Sequence, residues 1–141
     1  MIGAIIAKKA MVKAFQAMDN HDLKTFMSAW RDDAVFIYAG EIYASGTFEG
    51  KAAIEGWFRK FFEQFPKIHF DIQDICVKNI FAMSGNNVVA VHWNIHLTNR
   101  EGRVGQNSGV TVLNIEGGKV VRVKDFIFDL GMNFKLNWSA A

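Results

Sequence analysis

The stretch IHFDIQDICV, residues 68–77, decides how this chain folds. Ile68, Phe70 and Ile72 alternate with polar partners, which is the period of a half-buried strand. After Gln73-Asp74 the apolar positions change parity, to Ile75 and Val77. A strand here keeps one apolar face only by taking a bulge and bending.

Downstream the period stays at two. Asn86-Asn87, Glu101-Gly102 and Gly117-Gly118 read as hairpin turns between strands near 88–99, 103–116 and 119–130. Upstream the period is helical. Ala4, Ala7, Met11, Ala14, Phe15 and Met18 form one stripe. Asp19-Asn20-His21-Asp22 breaks it, with Asn20 as the cap of a second helix carrying Leu23, Phe26, Met27 and Trp30. Asp32-Asp33 ends that helix, Ala34 to Ala39 reads as a short buried strand, and residues 40–50 read as a loop. Ile54, Trp57, Phe58, Phe61, Phe62 and Phe65 mark a third helix, stopped by Pro66. Helices followed by a long antiparallel sheet make an α+β domain, its helices packed on one face of a curved sheet.

The 141 residues are one domain's worth of chain with no linker or repeat, so a single domain over 1–141 is expected. The net charge of +2, evenly spread, lacks the basic stripe of a nucleic-acid binder. One cysteine, Cys76, leaves no disulfide within the chain and fits a reducing, cytoplasmic compartment; it reads as an inert buried thiol. No apolar run reaches the roughly 20 residues of a bilayer span, and no membrane partner is expected.

Asp125 is the residue that most invites chemistry. It alternates with Val121, Val123 and Ile127, an acid among branched aliphatic neighbours. A buried carboxylate needs a partner or takes a raised pKa, and either outcome makes it a candidate general base or acid; a structural acid bonded to a backbone donor, or one exposed at a strand edge, reads equally well. In the strand near 88–99, Val89, Val91, Trp93, Ile95 and Leu97 share one face, and His92, Asn94 and His96 the other. Either face fits the helices by alternation alone. His92 and His96 stand about 13 Å apart at strand rise, too far for one zinc, so no metal is expected. Phosphate loops and nucleophile elbows are absent, and no cofactor is implied.

From about Val12 to Leu130 the chain resembles the nuclear transport factor 2-like superfamily, in its SnoaL-like branch with polyketide cyclases, limonene-epoxide hydrolase and ketosteroid isomerase. The resemblance rests on AMDNHDLKTFMSAWRDDAVFIYAG, GTFEGKAAIEGWFRKFF and EGGKVVRVKDFIFDL, in that order. It implies three N-terminal helices closing the concave side of a strongly curved, cone-shaped, mostly antiparallel sheet over an apolar pocket. It also implies a homodimer through the outer sheet face, with His92, Asn94 and His96 turned inward and Val91, Trp93 and Ile95 in the subunit contact. Epoxide-hydrolase relatives place an acid at Asp125, but their other positions carry Asn94, His96, Phe36 and Tyr38 here. Steroid-isomerase positions fall at Tyr38, Ala14 and Asn107, so neither chemistry carries over. A histidine and an acid facing one pocket match polyketide cyclases more loosely.

Two functions are therefore expected. In one, Asp125 and His96 move protons on a small apolar carbonyl compound, as an isomerase, dehydratase or cyclase. Tyr38 or Asn94 then binds a substrate oxygen, and Trp57 and Phe15 wall the pocket. In the other, the same fold is a non-catalytic ligand-binding or dimerisation module.

Overall fold

The computed structural model describes residues 1–140. In chain order the elements are α1 (Ile2–Asp19), α2 (Leu23–Ser28), β1 (Trp30–Tyr38), β2 (Gly46–Glu49), α3 (Lys51–Gln64), β3 (Lys67–Val77), β4 (Asn87–Thr98), β5 (Val104–Glu116), β6 (Lys119–Ile127) and α4 (Met132–Asn137). One sheet runs β2-β1-β6-β5-β4-β3, and its neighbours are antiparallel except for the β1–β6 pair. α1 packs on β3, α3 on β1, and α4 on β5, so helices close one side of the curved sheet.

The bend required at residues 68–77 is present. Ile72 faces Trp93, the next paired residue is Asp74 opposite His92, and Gln73 is the extra residue. Ile68, Phe70, Ile72, Ile75 and Val77 thereby all reach the core. β6 carries a second bulge. Ile115 pairs with Val120 and Asn114 with Arg122, so Val121 is left unpaired. The inward row is Val120, Val123, Asp125 and Ile127, with Val120 in the place expected of Val121.

The expected orientation of β4 is corrected. Val89, Val91, Trp93, Ile95 and Leu97 are buried under the helices, while His92, Asn94 and His96 lie on the outer face. Burying a valine, leucine or isoleucine side chain gains about 1.5–3 kcal/mol, whereas an unpaired polar row there would cost free energy. Val91, Trp93 and Ile95 consequently cannot form the subunit contact expected of them. Cys76 is also corrected: it is exposed on β3.

Other differences are local. The cap of α2 is Asp22, whose carboxylate accepts from the Thr25 N–H at 3.1 Å, rather than Asn20. α2 stops at Ser28, and Trp30 opens β1, where Val120 N–H donates to Ala29 O at 2.8 Å. Asp32-Asp33 thus lies in a strand instead of ending a helix. The expected loop at 40–50 contains β2, which pairs with β1. α4 adds a fourth helix to the three expected. Among the described residues no helix is long and apolar enough to cross a membrane.

Candidate functional site

Between the helices and the sheet lies a cavity of about 140 Å³. That is room for roughly ten waters or for a small organic molecule. Its walls are apolar and largely aromatic, with Phe15 from α1, Trp57 from α3 and Trp138 after α4 among them. Among the described residues that line it, the ionisable groups are Asp125 and Tyr38.

Strand register places these two together. Phe36 pairs with Val123 and Ile37 with Lys124 across the parallel β1–β6 pair. Tyr38 and Asp125 are the next residues on those strands, and both line the cavity. Neighbouring strands lie about 4.8 Å apart, so the phenol and the carboxyl share one side of the cavity floor.

Two indoles set the direction of the hydrogen bonds there. Trp93 Nε1 donates to Thr111 Oγ1 at 2.8 Å, and Thr111 Oγ1 donates to Asp125 Oδ1 at 2.6 Å. An indole nitrogen only donates, so the Thr111 hydroxyl must accept from it and spend its own proton on Asp125. While the carboxyl is ionised, Oδ1 accepts from Thr111, and Oδ2 is the oxygen left to take up a proton. Among the described residues Oδ2 has no partner. The carboxyl is half-buried and lines the cavity. Burial pushes its pKa up to about 6, against the lowering effect of the Thr111 hydroxyl.

Tyr38 repeats the pattern. Trp138 Nε1 donates to its hydroxyl oxygen at 3.0 Å, which leaves the phenolic proton free to donate. Burial, and then the nearby Asp125 charge, raise the Tyr38 pKa against the lowering effect of Trp138, so the phenol stays protonated. Gly109 makes the Trp93 arm possible. A Cβ there would stand 2.7 Å from a carbon of the Trp93 ring, so only glycine lets the indole lie across β5 toward Thr111.

The expected site residues divide four to two. Asp125, Tyr38, Trp57 and Phe15 line the cavity. His96 does not: it is exposed on the other face of β4, beside Arg103 and Asn133 in a shallow groove. Asn94 is also outside, where it accepts from Ser108 Oγ at 2.6 Å. The pairing of His96 with Asp125 is thereby overturned, because the sheet itself separates them. Thr111, Trp93, Trp138 and Asn137 went unrecognised. Asn137 is 6% exposed and lines the cavity, and its Oδ1 is buried without a hydrogen-bond partner.

Thr111→Val keeps the shape of the side chain and removes its donor. The Asp125 midpoint is expected to rise by about one unit, the worth of one hydrogen bond to a charged group. Carboxyl NMR titration of the variant checks this, and an unmoved midpoint would show that the hydroxyl does not orient the acid.

A curved sheet closed by helices over one apolar cavity is the nuclear transport factor 2-like fold. Within it the chain belongs to the SnoaL-like domain family, whose family model matches residues 11–123. Comparison with curated proteins finds no match. Among solved structures, the chain is similar to Bal32a from a soil-derived mobile gene cassette, at 16% identity over 96% of this chain and 98% of that one, with a TM-score of 0.79. It is similar to a hypothetical protein with a ketosteroid isomerase-like fold from Catenulispora acidiphila in complex with trimethylamine, at 13% identity over 93% and 92%, TM-score 0.71. It is also similar to TerC co-crystallised with polyporic acid, at 15% identity over 85% and 89%, TM-score 0.69.

Proposed function

We propose that the chain binds a small apolar carbonyl compound in the cavity and that Asp125 shuttles a proton on it, as in an isomerisation, dehydration or aldol-type cyclisation. The observation that carries this reading is the Asp125 carboxyl, which lines an apolar cavity with its Oδ2 unpartnered among the described residues, beside a phenol with a proton to donate. The Tyr38 hydroxyl donates to the carbonyl oxygen. Asp125 Oδ2 takes the proton from the carbon next to it, and the electron pair of that bond moves toward the oxygen, giving an enolate that the Tyr38 hydroxyl stabilises by its hydrogen bond. In a β,γ-unsaturated ketone the enolate is conjugated with the double bond, and return of the same proton to the γ-carbon completes an isomerisation with all atoms balanced. A carboxyl with a pKa of about 6 is mostly ionised at neutral pH and still a competent acid once protonated, which suits both halves of the transfer.

The experiment is exchange of α-protons in heavy water. Small apolar ketones are first screened by quenching of tryptophan emission, since Trp57 and Trp138 line the cavity. The ketones that bind are then followed by proton NMR. Exchange above the solvent rate, dependent on Asp125, supports the proposal. Binding without exchange overturns the catalytic half and leaves a ligand-binding module, and binding of no apolar compound overturns both halves.

A further inference from the structure

The outer side of α1 has a different character from the side that meets the cavity. Gly3, Ala7, Met11 and Phe15 are buried, and at about 100° per residue the opposite side carries Ile2, Ile5, Ile6, Lys9 and Lys13. The three isoleucines are 53%, 52% and 61% exposed. The β3–β4 connection, residues 78–86, lies against this end of the helix. Ala4 N–H donates to Ile80 O at 3.3 Å, and a Cβ on Gly3 would collide with the Ala82 carbonyl. Helix and loop therefore form one tip, to which the loop adds Phe81 and Met83, 70% and 82% exposed. Exposed apolar side chains on the outer side of α1 and on the loop packed against its first turn mark a candidate interaction surface.

The charge around the tip is of one sign. Lys8, Lys9 and Lys13 on α1 and Lys78 on the loop are exposed, and neither α1 before Asp19 nor residues 78–86 contain an acid. Of the acids on the adjoining turn and strand, Glu116 pairs with Arg31 at 3.0 Å, Asp74 lies within hydrogen-bond reach of His92 at 3.2 Å, and Asp71 sits toward the end of β3 away from the tip. Two copies meeting at this tip would bring lysine against lysine. An anionic surface is the complementary partner.

We infer that this tip docks on an anionic phospholipid surface, its isoleucines, Phe81 and Met83 entering the headgroup boundary while the lysines meet the phosphates. The sequence expectation of no membrane partner rests on the absence of a spanning run, and a docking tip spans nothing. The inference does not depend on what the cavity does.

The test is co-sedimentation of the protein with vesicles of phosphatidylcholine, alone and mixed with phosphatidylglycerol. Binding is expected on the mixed vesicles, falling as salt is added, and weakly on the neutral ones. The double variant Ile5→Ser, Phe81→Ser is expected to lose about tenfold or more on mixed vesicles. Lys8→Gln with Lys9→Gln is expected to lose about fivefold per lysine on mixed vesicles and little on neutral ones. All four residues are exposed, so melting curves and ketone binding stay as in the parent, which separates failure here from failure of the proposed function. No binding to mixed vesicles at low salt overturns the inference, as does unchanged binding by both variants. Self-association abolished by the serine variant, without vesicle binding, assigns the tip to a second copy and overturns it as well.

Discussion

Asp125→Asn is expected to make the protein more stable at neutral pH while removing its acid–base activity. The carboxyl pKa is raised from 3.8 to about 6 by burial, so the folded chain holds this proton more tightly than the unfolded chain does. Below pH 3.8 both states are protonated and the group costs nothing. As the pH rises from there through about 6, the unfolded state ionises first and stability falls; above that the loss is constant. A shift of about two units corresponds to ~3 kcal/mol. Asparagine has no such cost, and its side-chain oxygen still accepts from Thr111. At pH 7 the variant should melt roughly 5–10 °C higher, and the difference should vanish near pH 4. Loss of the proton carrier should cost about 10²- to 10⁴-fold in ketone α-proton exchange. A variant less stable than the parent at pH 7, with exchange intact, would make Asp125 a structural acid.

Phe36→Ala is expected to cost ~3–5 kcal/mol, a large part of the total stability of a domain this size. Phe36 is 1% exposed and sits between sheet and helices. Its ring centroid lies 4.8 Å from Trp57 and 5.1 Å from Phe58, and 6.1–6.2 Å from Trp30, Tyr38 and Phe48. These rings come from β1, β2 and α3, so the void cannot close without moving whole elements. Urea unfolding should show a lower midpoint with an unchanged slope. A loss below about 1 kcal/mol would mean that the cluster collapses into the space.

The parts of the fold legible in the sequence are those where side-chain chemistry marks the geometry. The bulge at Gln73 is readable because Ile72 and Ile75 sit on opposite parities. The Gly117-Gly118 turn is readable because both residues take positive φ, 54° and 77°. The bulge at Val121 carries no such mark, since Val120 and Val121 are the same residue and either can face inward. That bulge decides the site. Counted from the turn without it, Asp125 would face Val110; with it, Asp125 faces Thr111. The Trp93-Thr111-Asp125 chain was therefore out of reach of pattern reading. His96 failed for a different reason. Alternation left both faces of β4 open, and family resemblance turned the polar row inward, against the stronger preference of Val89, Val91, Trp93, Ile95 and Leu97 for the core. Six residues, MNFKLN, are too few to show a helical period, which hid α4 and with it Asn137 and Trp138.

The most direct test of the account is titration of the Asp125 carboxyl carbon by NMR, with and without a bound apolar ketone. A midpoint of about 6, moved when the ketone fills the cavity, is the predicted result. A midpoint near the ordinary 3.8, indifferent to the ketone, would place the carboxyl in contact with water and contradict the account.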